Sequence, residues 1–308
     1  MLMGYSLGDL GSIVTMQGFA GLTLFSVFVL MALGLAIIFG QMGVINMAHG
    51  EFMILGAYVT FLTSKLFTTF LPFAFGLYFF FAVIFAFCVA GALGMLVEWA
   101  LIRHLYRRPL DTLLATWGLS LILQQLYRTI FGAREVGVGQ PGWMMGAARV
   151  TDTIQIPIDG IVVIILTALV ATGVYLLLYR AGWGVQVRAV MQNRQMSAAV
   201  GIDTERIDRI TFGIGCGIAG IAGSAFTMIG STSPTAGQLY IVDTFLIVVF
   251  GGTASLLGTI ASAFSISQAR SILEFFLSGS MAQVVVLFTV VLILMLRPQG
   301  LFTYKVRR

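Results

Sequence analysis

Long apolar runs broken by short polar stretches dominate this chain. GFAGLTLFSVFVLMALGLAIIFG (18–40) and FAFGLYFFFAVIFAFCVAGALGMLV (73–97) are two of them. Each reaches or exceeds the roughly 20 residues with which a helix crosses a hydrocarbon core about 30 Å thick. The pattern predicts crossings at approximately 18–40, 52–70, 73–97, 112–131, 158–179, 210–230, 241–258, 259–277 and 282–296. It implies an all-α, polytopic membrane helix bundle of about eight or nine transmembrane segments, with broken or re-entrant helices. Because 241–258 and 259–277 have almost no linker, one crossing plus a re-entrant or surface segment is the alternative there. No stretch between the runs is long enough for an independent domain, so 1–308 reads as a single transmembrane domain. The first run has no basic residue before it and is too long for the apolar region of a cleaved leader.

One polar interruption stands out. After IIFGQMG, where Gly40 and Gly43 loosen the first helix, comes VINMAHGEF (44–52), and then a new apolar run. Asn46 suits the N-cap of a helix starting at Met47. That helix would begin inside the membrane region with free N–H groups and a positive dipole end aimed into the bundle. Two roles fit: Asn46, His49 and Glu51 line a translocation path beside a broken helix, or they only end one helix and start the next. A second break, LIVVFGGTASLLGTI (246–260), repeats the form of LAIIFGQMGVINMA (35–48), and marks Gly251, Gly252 and Thr253, with Asp243 as its cap. The crossing count gives both breaks the same membrane direction, so an inverted repeat would require one crossing fewer or more. Trp117 and Gln124, with Gln125, either line the path or bond between helices. Arg270 and Glu274, four residues apart, are expected to pair with each other.

Small residues recur through ITFGIGCGIAGIAGSAFTMIG (210–230): Gly213, Gly217, Gly220 and Ser224 on one face, Gly215, Ala219 and Gly223 on the next. Such spacing lets helix backbones approach closely and places this helix at the centre of the bundle. Two stretches between crossings carry their own expectations. Residues 132–157 mix Gly, Pro and both charge signs and read as an ordered external loop. Residues 180–209 read as a cytoplasmic loop with a short amphipathic helix, using Val187, Val190, Met191, Met196 and Val200 as its apolar positions.

Composition adds topology rather than chemistry. The chain is 59% hydrophobic and only 9% charged, and its net charge of +5 is distributed unevenly. Arg103, Arg107 and Arg108 form one cluster, Arg180, Arg188, Arg194, Arg206 and Arg209 a second, and Arg297, Lys305, Arg307 and Arg308 a third. Placed on the cytoplasmic side, these clusters satisfy the positive-inside rule, with the N-terminus outside and the C-terminus inside. The same placement accounts for the basic balance without nucleic acid. Cys88 and Cys216 both fall in apolar runs and read as small core residues.

Energy for uphill transport would have to come from elsewhere. Neither Lys65 nor Lys305 follows the glycine pattern of a phosphate-binding loop, and no chain of embedded carboxylates forms a proton relay. His49 and His104 are far apart, no HExxH occurs, and GLSL at 118–121 lacks the glycine expected after a Ser120 nucleophile, so no enzyme site is expected. A passive channel is the reading of another class, but it leaves the thirty-residue basic loop unused.

Several stretches resemble the permease subunits of branched-chain amino acid ABC importers: GLAIIFGQMGVINMAHGEFMILGAYVTF (34–61), RPLDTLLATWGLSLILQQLYRTIFG (108–132), RAVMQNRQMSAAVGIDTERID (188–208), FGGTASLLGT (250–259) and RPQGLF (297–302). The variants LLATWGLSLILQQ and QNRQMSAAVGI look most like the urea-transport branch, while SISQARSILEFF at 265–276 departs from it. The resemblance implies urea or a related small amide as solute, with branched-chain amino acids as the alternative. It implies a heterodimer with a second permease, two ATPase subunits that bind the ATP, an external solute-binding protein, and a bacterial inner-membrane location. It maps the ATPase-coupling loop onto about Gly184 to Asp208, including Arg188, Asn193, Arg194 and Gly201.

Overall fold

The computed structural model describes residues 7–106, 108–151, 154–252, 255–297 and 300. Its helices are α1 (Leu7–Met42), α2 (His49–Phe70), α3 (Tyr78–Ala100), α4 (Pro109–Phe131), α5 (Ile158–Tyr179), α6 (Gly182–Gln192), α7 (Arg194–Ala199), α8 (Thr204–Ile229), α9 (Ala236–Gly251), α10 (Leu256–Phe276) and α11 (Gly279–Leu296). Each expected crossing is a helix of its own, including the linkerless pair, which forms α9 and α10. Six helical segments are long and apolar enough to span a membrane, and α9, with 16 residues, is shorter. The chain is an all-α, multi-pass membrane bundle. The 132–157 stretch is ordered, and carries an antiparallel hairpin of β1 (Ala147–Thr151) and β2 (Ile154–Pro157).

Helix α8 is the post around which the others stand, packing against α1, α2, α3 and α5. Its small residues make that possible. A Cβ on Gly223 would lie 1.9 Å from the Met53 carbonyl oxygen of α2, and one on Gly56 2.1 Å from the Gly220 oxygen. Between apolar helices in lipid no hydrophobic drive is available, so association relies on this backbone-to-backbone contact. Thr60 adds a hydrogen bond of 2.8 Å to Ser224. Cys216 is buried in this helix, whereas Cys88 sits on the outer face of α3, because only one face of α3 meets α8.

The packing has an internal symmetry. Helix α1 packs along α10 as α8 packs along α3, and α2 packs along α3 as α9 packs along α10. Helices α1 and α8 are antiparallel: Gly34 lies beside Gly215, and Gln41 beside Asp208. Gly50 and Gly237, the second residues of α2 and α9, touch backbone to backbone. These relations define two inverted repeats, α1–α4 and α8–α11, about an approximate two-fold axis through the Gly50–Gly237 contact. The symmetry partner of the break at 43–48 is therefore 230–235, between α8 and α9, and not the glycines at 251–252 that the sequence pattern suggested. The spacing of Gly43 and Gly50 recurs in Gly230 and Gly237. The nine helices at the expected crossings fit this inversion, since it relates segments that follow α1 and α8.

The basic connector holds two helices rather than one, because Asn193 is extended (φ −154°) and caps α7 by accepting the Met196 N–H at 2.9 Å. Val187 and Val190 are buried, while Met191, Met196 and Val200 face outward.

Gly223→Leu forces a side chain into the Met53 carbonyl, and overpacking of this kind costs about 3 kcal/mol. Loss of the monodisperse peak in detergent gel filtration is the expected outcome, with Gly118→Leu, at an open position, retaining it.

Candidate functional site

The site is built on the start of α2. Helix α1 ends at Met42, and Gly43 (φ +65°) takes the left-handed turn that a side chain resists. The chain then doubles back, so that His49 reaches the Met31 carbonyl at 3.1 Å, about three turns before the end of α1. A carbonyl only accepts, so Nε2 carries the His49 proton. Helix α2 thus begins within the bundle, as expected of a broken helix. Its cap differs from expectation. The helix starts at His49 with Ala48 as N-cap and no side-chain cap bond, while Asn46 accepts the Ala48 N–H at 3.1 Å and closes the turn before it. The reason lies in α4, whose Thr116 hydroxyl takes the Met47 N–H at 3.1 Å and holds 45–47 away from helical geometry.

One face of α4 continues this contact. The Glu51 carboxylate accepts from Ser120 at 3.1 Å and from Gln124 at 2.8 Å, and the Tyr127 hydroxyl donates to the Glu51 backbone oxygen at 3.0 Å. Thr116, Ser120 and Gln124 lie four residues apart, which stacks them on one side of the helix. Trp117 is one residue off this line and 50% exposed, so it does not join Asn46, His49, Glu51 and Gln124. Four buried polar atoms at this seam lack a protein partner: Asn46 Nδ2, His49 Nδ1, Glu51 Oε2 and the Tyr58 hydroxyl. Buried polar groups are normally satisfied. Asn46, His49 and Glu51 lie at or just before the first turn of α2.

The glycine break at 251–252 is of another kind. Gly252 (φ +89°) follows the end of α9, and Ser255, which accepts the Gly258 N–H at 3.0 Å, caps α10. A Cβ on Gly251 would meet the Gly258 oxygen at 2.5 Å. Thr253 lies outside the described residues. Asp243 is inside α9 and does not cap this break; it binds Arg270 at 2.7 Å and Gln283 at 3.2 Å. Arg270 also binds Glu274 at 2.9 Å, so the expected pair is part of a larger group that joins α9, α10 and α11.

At the basic end a second buried polar group appears, which sequence reasoning passed over. Asp208 of α8, wholly buried, pairs with Arg194 of α7 at 2.5 Å and accepts from Gln41 of α1 at 3.0 Å. Glu98 of α3 pairs with Arg209 at 3.4 Å and accepts from the Tyr106 hydroxyl. The Arg194 guanidinium lies 5.1 Å from the Tyr106 ring centre. Burial, then the Glu98 contact, pushes the Tyr106 phenol well above its ordinary value, so it stays a donor. Four parts of the chain meet here: the ends of α1 and α3 and the starts of α7 and α8. Glu98 and Asp208 each sit at a crossing's basic end, next to arginines, and that was the available signal. Arg188 turns back to the Leu178 carbonyl of α5 and lies 5.4 Å from the Tyr179 ring, while Gly201 (φ +90°) turns α7 into α8.

Two inverted helix repeats, a polar mid-depth helix start and a basic connector define a membrane permease. The chain belongs to the family described as branched-chain amino acid transport system, permease component, which matches residues 18–296. It is a transport component and not an enzyme. The chain is 28% identical over 302 residues to the high-affinity branched-chain amino acid transport system permease protein LivH of Salmonella typhimurium, covering 92% of this chain and 94% of that protein. It is equally similar to LivH of Escherichia coli, and 27% identical to BraD of Pseudomonas aeruginosa over 91% of this chain and 93% of that one. No solved structure matches the chain significantly. These relatives are named for branched-chain amino acids; the urea branch suggested by two short variants has no support among them.

Glu51→Ala strands the Ser120 and Gln124 donors and is expected to destabilise the protein by about 1–3 kcal/mol, read as a lowered midpoint in a thermal scan of the purified protein. Trp117→Ala, on the exposed face, is expected to stay within about 0.5 kcal/mol of the parent.

Proposed function

We propose that this chain is the membrane-spanning subunit of an ATP-driven importer of amino acids with aliphatic side chains. The observation that carries this reading is the likeness, over nine-tenths of the chain, to permeases named for branched-chain amino acids. Urea, the solute suggested by the short variants, is the second choice. The partners are a second permease of the same kind, two ATPase subunits and an external solute-binding protein, in a bacterial inner membrane with the basic clusters on the cytoplasmic side.

In this scheme the seam of Asn46, His49, Glu51 and Gln124 borders the translocation path. Helix α4 meets the rest of the bundle chiefly along α2, so a small outward shift of α4 uncovers the unpartnered atoms without breaking the α8 core. The connector α6–α7 docks the ATPases. Met196 and Val200 supply exposed apolar contact, Asn193 and Gly201 are its two bends, Arg188 anchors it to α5, and Arg194 reaches the buried Asp208. Movement of α7 thereby acts on the end of α1, just before the break that starts α2.

Radiolabelled leucine uptake by cells carrying this chain with its partner subunits is expected to require a working ATPase and to be insensitive to excess unlabelled urea. Urea uptake that excess leucine leaves untouched would refute the substrate. For the connector, Arg194→Asp is expected to abolish uptake while ATP hydrolysis continues, and adding Asp208→Arg to restore part of it. Equal loss in the single and the exchanged variants would remove this pair from the coupling.

A further inference from the structure

A cavity of about 650 Å³ opens between the first half of α1, the start of α5, the end of α8 and the first turns of α9. It lies at the end of the bundle opposite the basic clusters and apart from the α2–α4 seam. Its walls are mainly apolar, with Phe19, Leu24, Val27 and Phe226. Its polar lining residues are Gln17, Thr23, Gln155, Asp159 and Tyr240, of which Asp159 carries a charge. Tyr240 packs against Phe226 and Phe28, with ring centres 5.1 and 6.0 Å away, and sits one turn beyond Gly237. The cavity therefore runs from the bundle end to the first turn of the helix that begins at the symmetry axis.

Asp159, the charged side chain that lines this cavity, is held in place by its neighbours. The Asp159 oxygens accept from Gln140 Nε2 at 3.1 Å and from the Gly160 N–H at 2.7 Å. A carboxylate oxygen has capacity for a further donor. Ile229 and Gly230, at the carbonyl end of α8, line the same wall and add negative potential. An aliphatic side chain fits the remaining walls, and the volume is in the range of small-molecule sites. Urea would leave the apolar walls without a use.

We propose that this cavity is the outward lodging site for an amino acid with an aliphatic side chain, its ammonium received by Asp159. The proposal rests on the function given above. Ala20, exposed on the cavity wall, replaced by Cys in a Cys88→Ala background of the assembled transporter, reports occupancy through its rate of reaction with a small maleimide. Leucine is expected to slow labelling at about a tenfold lower concentration than isocaproate, which has the same side chain and carboxylate but no ammonium. Asp159→Asn is expected to erase that difference while leaving the unprotected labelling rate unchanged, and Asp159→Glu to restore it. A transporter that imports leucine yet shows no protection, or shows the same tenfold preference in Asp159→Asn, overturns this inference alone. A transporter that imports no aliphatic amino acid overturns the function on which it rests, and the inference with it.

Discussion

Close approach of helix backbones is the constraint on which the rest of this structure depends. In lipid, apolar side chains gain little by leaving one greasy surface for another, so the bundle is held where glycine removes the side chain altogether. Helix α8 uses this against α1, α2 and α3, and α2 meets α9 through Gly50 and Gly237. The rigid centre has a corollary at the edge. Helices α3, α4, α5 and α11 expose broad apolar faces, and α4 meets α2 both through the Glu51 seam and through ring contacts of Tyr127 and Phe131 with Tyr58.

Polar groups are placed by the same logic. The Glu51 seam, the Asp243–Arg270–Glu274 group and the Asp208–Glu98 group each lie where helices from different parts of the chain converge. In each, an acid buried or nearly so is matched by side-chain donors from another helix, as the cost of burying an unpaired charge demands. At the seam, Asn46 Nδ2, His49 Nδ1, Glu51 Oε2 and the Tyr58 hydroxyl are buried without a protein hydrogen-bond partner.

Much of this was legible in the sequence. Apolar run length located a helix at each expected crossing, because the bilayer imposes a minimum length regardless of tertiary detail. The broken helix at 43–48 was visible through Gly43 and the polar cluster after it, and Gln124 through its rarity in an apolar run. What escaped depends on register. Trp117 and Thr116 differ by one residue in sequence but by about 100° around the helix, and only the pairing of α4 with α2 shows which of them faces Glu51. The second break was mislocated because LIVVFGG resembles LAIIFGQ more strongly than GSTSPTAG resembles GVINMAHG. The two glycines that the symmetry contact requires are nearly all that those last segments share. Asp208 and Glu98 were passed over, since nothing local foretells that Gln41 and Arg209, each more than a hundred residues away, meet them.

The inverted repeat carries one more consequence. Two halves related by an axis in the membrane plane leave the backbone with little preference between its two senses, since helix order and packing partners repeat when it is turned over. The information that decides the sense of insertion must then lie in what the symmetry does not share. Here that is the arginines, gathered at the ends of α3, α5 and α11 and along the α6–α7 connector, with no matching set at the opposite face. For this chain, which way round it sits in the bilayer is written in a dozen side chains and scarcely at all in its fold.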